Sequence, residues 1–278
     1  MHYKDILVYL DQGDSNEARV KAALDMAATY EARLTGVVVN PLPTRNMTQR
    51  LGFDQDAALI KRLQNEAEAV VKAFEATAKE KNVEVHSRVI ESREAEAPAE
   101  LARLARNFDI NILRQANPDR PHAEFVLELS EEVLFASGRP VFFMPYIGAH
   151  AIPCRKGVIA WNGSAAAARA VHDSLPLLTK MEEVVILVVD PDKVEHESGV
   201  EPGEDLSRHL DAHGIKNRVM RGYSGGSPTT SVILNHVFDS GADILIMGGY
   251  GTPKIREVIL GGVTRSVLGS MTVPVVMS

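Results

Sequence analysis

Val158-Ile159-Ala160-Trp161-Asn162 reads as a short apolar strand ending in a polar residue, and Ile6-Leu7-Val8-Tyr9-Leu10-Asp11 reads the same way. Each is followed by a small polar turn and an alanine-rich helical stretch, Ser164 to Leu178 in one case and Asp14 to Tyr30 in the other. Each helix leads to a β-branched strand, Val184-Val185-Ile186-Leu187-Val188-Val189-Asp190 and Val37-Val38-Val39-Asn40. The ends of the two series correspond as well: Gly138-Arg139-Pro140-Val141-Phe142-Phe143-Met144 parallels Met271-Thr272-Val273-Pro274-Val275-Val276-Met277. Similar start, second strand and finish describe two copies of one domain better than one large domain. The join falls in the stretch Tyr146 to Arg155, which carries Gly148 and Pro153, so the domains are expected over 1–147 and 154–278.

Within each copy strands alternate with helices. Strands are expected near 4–10, 35–40, 83–90, 109–114 and 140–145, and again near 156–161, 184–189, 216–222, 242–248 and 273–277. Helices are expected near 15–32, 55–81, 95–107 and 122–137, then near 164–180, 203–213, 228–240 and 254–269. Short apolar strands separated by helices imply a parallel sheet covered on both faces. Ser164 stands where a helix should be capped and Gly241 where one should stop. Ligands of such sheets bind beyond the carboxyl ends of the strands, here just after Asn162, Val189, Gly222 and Met247.

Composition narrows the function classes. The 278 residues are 45% hydrophobic and 24% charged, which suits two packed domains with solvated surfaces. A formal net charge of -7 argues against sequence-independent nucleic-acid binding. The single cysteine, Cys154, cannot close an internal disulfide, which fits a reducing compartment. No signal-peptide pattern opens the sequence, and no apolar run reaches the ~18 residues of a membrane span. A cytoplasmic protein without membrane partners is expected.

The chemistry sits after the fourth strand of the second copy. Asp243-Ile244-Leu245-Ile246-Met247 runs into Gly248-Gly249-Tyr250-Gly251-Thr252-Pro253, and further on come Gly261-Gly262-Val263-Thr264. Glycines at a strand end allow positive φ and close backbone approach, so successive N–H groups can turn inward on an anion. A helix starting near Gly261 or Gly262 adds unpaired N-terminal amides and a positive dipole end. Thr264 offers a hydroxyl. Together these form a phosphate seat that needs no net positive charge. The plain alternative is a tight turn, which Gly248-Gly249 alone would satisfy.

The spacing Gly248-x2-Gly251-x9-Gly261, followed by Val263-Thr264 and a terminal Val-Pro-Val-Val strand, resembles the universal stress protein family. The resemblance extends over both copies. It implies two tandem Rossmann-like domains of the adenine nucleotide alpha hydrolase-like type, each a five-stranded parallel sheet of order 3-2-1-4-5. It implies ATP or another adenine nucleotide, with or without Mg, in the second domain, and none if that site has degenerated. Phosphates would lie on Gly248, Gly251, Gly261, Gly262, Val263 and Thr264, and adenine on Asn162 and the backbone of Val188. It also implies pairing of the last strands, here within one chain through Val141-Phe142-Phe143 and Val275-Val276, and leaves a homodimer open. Two departures stand out. The family's serine or threonine after the third glycine is Gly262, and its acid at the end of strand one is Asn162.

The first copy reverses the pattern. It keeps the acid, Asp11, but Ile110-Asn111-Ile112-Leu113 leads into Arg114-Gln115-Ala116-Asn117-Pro118-Asp119-Arg120 without a glycine. Glu128, Glu131 and Glu132 fall near the place of the later glycine pair, and carboxylates there repel a triphosphate. The first domain is therefore expected not to bind ATP in the family manner.

Other patterns carry less. Gly222-Tyr223-Ser224-Gly225-Gly226 matches a nucleophile elbow, but no histidine follows Asp239 or Asp243 to complete the hydrolase order. His209 and His213 share a helix face, with His196 nearby in sequence, which leaves metal binding and a solvated face both open. His150 and Cys154 are a weaker pair. Lys254 and Arg256 either touch phosphate from outside or are solvated, and Gln49 to Leu63 reads as part of an amphipathic insertion. The expected function is nucleotide-dependent regulation or sensing in a stress response, with no catalytic residue identified. A nucleotide-free interaction module and a slow ATP hydrolase are the alternatives.

Overall fold

A computed structural model of the chain describes residues 2–42, 53–148, 150–194, 199–249 and 262–278. Two compact units divide at Val141/Phe142, Tyr3–Val141 and Phe142–Ser278, the second including His2. The first series of elements is β1 (Asp5–Leu10), α1 (Asn16–Tyr30), β2 (Arg33–Leu42), α2 (Phe53–Glu80), β3 (Val85–Arg93), α3 (Ala97–Ala105), β4 (Ile110–Arg114), α4 (Ala123–Ala136) and β5 (Val141–Met144). The second is β6 (Lys156–Ala160), α5 (Ala165–Asp173), α6 (Leu175–Leu178), β7 (Glu183–Val189), α7 (Glu204–Ala212), β8 (Asn217–Gly222), α8 (Thr229–Ser240), β9 (Ile244–Met247), α9 (Gly262–Ser270) and β10 (Val275–Met277).

The strands run in the order β3-β2-β1-β4-β5 in the first series and β8-β7-β6-β9-β10 in the second. Both are the expected 3-2-1-4-5 order. Central strands are apolar on both faces because helices cover both: Ile6 to Leu10 and all of Ile244–Met247 are buried. The helices come very close. A Cβ on Gly36, in β2, would stand 2.7 Å from the buried Phe74 ring of α2, so only a glycine lets that ring lie on the strand.

The repeat extends to individual hydrogen bonds. The Asp109 carboxylate accepts from the amides of Lys4 and Asp5 (2.7 and 3.0 Å), and Asp243 accepts from those of Arg155 and Lys156 (2.8 and 2.9 Å). The Asp109 amide donates to Asp5, and the Asp243 amide to Lys156. Asn111 donates to the Pro140 carbonyl and Leu245 to that of Pro274, each at 3.0 Å. These matches place Asp5 with Lys156 and Asp109 with Asp243. Counting onward, Asp11 corresponds to Asn162, Arg19 to Ala170 and Arg114 to Gly248. The pairs Asp5–Arg33 and Lys156–Glu183 likewise put Asn40 with Asp190.

Helix ends follow their sequence signals. The Ser164 side chain accepts from the Ala167 amide, and Gly241 closes α8 at φ 62°. The helix expected over 164–180 is instead two, α5 and α6, divided at Ser174. Pro176 is the reason: inside one continuous helix it removes an amide and collides with the preceding turn, whereas here it sits in the first turn of α6. Of the helix expected over 254–269, residues from Gly262 are described and helical.

Candidate functional site

The carboxyl edge of the second sheet is assembled from three places in the sequence. The chain leaves β6 through Trp161 and Asn162 and turns at once into α5. Asn162 is exposed, and its Oδ1 accepts from the Ser164 amide (3.2 Å) and the Ser164 hydroxyl (2.7 Å). Gly248, at the end of β9, lies directly on the start of α5. A Cβ there would be 2.7 Å from the Ala167 nitrogen and 2.9 Å from the Ala166 carbonyl carbon. Its lack of a side chain is therefore a packing requirement, as well as clearing the edge of the sheet. The first turn of α9 joins this edge through the buried Thr264, whose hydroxyl donates to the Gly249 carbonyl, while the Gly249 amide donates to the Ser278 carbonyl.

The structure thus brings Asn162, Gly248 and Thr264 to one edge, with Gly262 and Val263 opening α9. Gly251 and Gly261 lie outside the described residues, as do Lys254, Arg256 and His196. Val188 is inside β7, its side chain fully buried and its register partner Arg221 in β8.

Sequence reasoning did not single out Asp190, one residue past β7. Its carboxylate accepts from the Ser224 amide and hydroxyl, each at 2.8 Å, and from Lys193 at 2.8 Å. Lys193 and the two Ser224 donors hold its pKa down to about 2. The elbow motif is accordingly a loop pinned across the ends of β7 and β8. The Ser224 proton is held by a carboxylate far too weak a base to activate it at neutral pH.

Residues 155–278 match the profile of the Universal stress protein family. This half of the chain belongs to that family. No curated protein matches the chain. Among solved structures, a universal stress protein from Archaeoglobus fulgidus superposes over 98% of this chain and 94% of its own, with a TM-score of 0.74 at 18% identity. A functionally unknown protein from Pseudomonas aeruginosa covers 99% of this chain and 92% of its own, with a TM-score of 0.56 at 14% identity. These likenesses carry the fold across both halves.

Against that universal stress domain, the corresponding edge of the first half is filled by its own side chains. Arg114, in the place of Gly248, reaches back so that its Nη1 donates to Asp11 Oδ2 at 2.7 Å. Arg19, in the place of Ala170, is fully buried; it donates to Asp11 Oδ1 (3.0 Å), Asn16 Oδ1 (2.8 Å) and the Tyr9 carbonyl (2.6 Å). Burial works to raise the Asp11 carboxyl, but the two guanidinia and the Gly13 amide outweigh it, leaving the pKa below the ordinary value.

Two further patterns resolve. The His209 and His213 rings meet edge to face at 4.7 Å on an exposed surface, and among the described residues no three His, Cys, Asp or Glu gather as metal ligands. Cys154 is buried, and that burial, with Asp243 nearby, pushes its thiol up to about 12, so at neutral pH it is a protonated core side chain. Among the described residues no helix is long and apolar enough to cross a membrane.

Proposed function

We propose that the second half is a regulatory nucleotide-binding domain that holds ATP or a related purine nucleotide. The observation that supports this most directly is the edge just described: β6 ends in an exposed hydrogen-bonding side chain, and β9 ends in a glycine that places nothing over it. The edge lies where the strand order reverses between β6 and β9, the place where open α/β sheets hold ligands. The base lies against Asn162, close to the strand containing Val188. The phosphates extend toward the glycines after β9 and the first amides of α9, at Gly262, Val263 and Thr264. No described side-chain cluster is assigned to Mg, which in this reading travels with the phosphates.

In this reading the domain senses or signals nucleotide in a stress response rather than turning it over quickly, since among the described residues no general base is positioned at the edge. Its test is denaturation of the purified protein with assay of released nucleotide, together with calorimetry against ATP. The expected result is about one nucleotide per chain, or saturable binding below millimolar ATP. No nucleotide and no binding at millimolar ATP overturns the proposal.

One observation favours a second reading, a nucleotide-free interaction module. The Thr264 hydroxyl and the Gly249 amide are both turned onto protein carbonyls rather than outward. Replacing Gly251 and Gly261 with bulky residues separates the two. Loss of nucleotide binding with the fold intact supports the first reading. Unchanged partner binding, insensitive to ATP, supports the second.

A further inference from the structure

The orientation of the Asn162 carboxamide decides which base the edge accepts. Ser164 Oγ accepts from the Ala167 amide (3.2 Å), so its own hydrogen goes to Asn162. The Ser164 main-chain N–H can only donate, and it too faces Asn162. Turning the carboxamide over would set its NH2 against that N–H, so Oδ1 must face Ser164. Both lone pairs of Oδ1 are then occupied. What Asn162 presents outward is Nδ2 with its two hydrogens.

The first half calibrates this geometry. Asp11 makes the same turn, its Oδ1 accepting from the Gly13 amide at 2.9 Å, two residues on. Its other oxygen, Oδ2, faces the edge and meets a donor, the Arg114 guanidinium. In the second half both partners change: Gly248 supplies no guanidinium, and the outward atom is itself a donor. A ligand group completing the second site must therefore be an acceptor.

We propose that the nucleotide selected by the second half carries a 6-oxopurine base, hypoxanthine or guanine, in preference to adenine. This inference rests on the reading that the base lies against Asn162. Adenine offers an amino group at C6, which only donates, whereas hypoxanthine and guanine offer a carbonyl oxygen. Opposite Nδ2 the carbonyl completes a hydrogen bond, and the amino group sets donor against donor. Adenine shifted to present N1 instead leaves its amino group without an acceptor at Asn162, because Oδ1 is already occupied. The difference between the two bases at this position is therefore one hydrogen bond to Asn162 made by the carbonyl and not by the amino group.

Calorimetry of the full chain with inosine triphosphate (ITP), GTP and ATP tests this. ITP and ATP differ only around C6, so their ratio isolates the contact. ITP and GTP should bind on the order of tenfold more tightly than ATP. Asn162→Asp replaces the outward donor with an acceptor and should reverse the ITP:ATP order. Its added charge weakens all triphosphates alike, so the ratio is the readout. Circular dichroism of the variant checks that the fold persists. ATP binding more tightly than ITP in the unaltered chain, or an unchanged order in Asn162→Asp, overturns the base preference and leaves nucleotide binding standing. Binding of none of the three overturns both.

Discussion

At the end of β1 an acid stands between two arginines, Asp11 with Arg19 and Arg114; at the corresponding end of β6 stand Asn162, Ala170 and Gly248. The three positions differ together, and electrostatics explains why. A guanidinium buried as fully as that of Arg19 requires a carboxylate beside it, so an asparagine at the acid's position is compatible only with small neutral neighbours. The first half has in effect taken its own side chain as ligand, whereas in the second the residue at Arg114's place, Gly248, has no side chain to offer. The sequence had pointed to Glu128, Glu131 and Glu132 as the obstacle to a nucleotide in the first half. The structure adds Arg114, which donates to the acid itself.

The sharpest way to break the comparison is to remove the acid. Asp11→Ala leaves two guanidinia with no carboxylate between them, one of them fully buried, and should cost about 3–5 kcal/mol in urea unfolding. Asn162→Ala, at the matching position, removes an exposed neutral side chain and should cost at most about 1 kcal/mol. Replacing all three residues, Asp11→Ala with Arg19→Met and Arg114→Met, should regain much of the loss, because no buried charge remains. Equal costs for the two single variants would show that the three do not act as one charge unit. The native trio also depends on pH. The Asp11 pKa is lowered by folding, so its contribution is complete above the ordinary carboxylate value of 3.8 and is lost as pH falls through the folded value.

The next contrast concerns glycine. A Cβ on Gly248 meets main-chain atoms of Ala166 and Ala167, which cannot move without shifting α5 away from β9. Gly248→Ala should therefore cost about 1–3 kcal/mol. In the first half, a Cβ on Gly13 meets the end of the Arg114 side chain, which can adjust, so Gly13→Ala should cost less. If the order is reversed, the close seating of β9 on α5 is not what requires the glycine.

Much of this was legible in the sequence, for identifiable reasons. The strands announced themselves because a parallel strand covered on both faces must be apolar throughout, as Ile244 to Met247 is. Asn162, Gly248 and Thr264 could be singled out because glycine and polar residues just after strands or at a helix start are local signals. Arg19 was not, because nothing in Asn16 to Tyr30 distinguishes an arginine that turns inward from one that is solvated; its partner is eight residues back in another element. Arg114 registered only as a missing glycine, since its contact with Asp11 spans 103 residues. The break at Ser174 was readable from Pro176, but the alanine-rich run before it outweighed that one residue.

Asp190 gives the smallest effect, and it too is a difference between halves. Its counterpart Asn40 cannot titrate, whereas Asp190 is held by Lys193 and by both donors of Ser224. With a folded pKa of about 2 against an unfolded 3.8, its contribution is fully present above 3.8 and is lost as pH falls through 2. The loop from Gly222 to Pro228 should therefore stay pinned at every pH at which the protein is ordinarily handled. The check is the carboxyl carbon shift of Asp190 followed by NMR on acidification. A midpoint near 2 bears out the anchoring. A midpoint at or above 3.8 means that Ser224 is not held by the carboxylate in solution, and that the loop across β7 and β8 moves independently of Asp190.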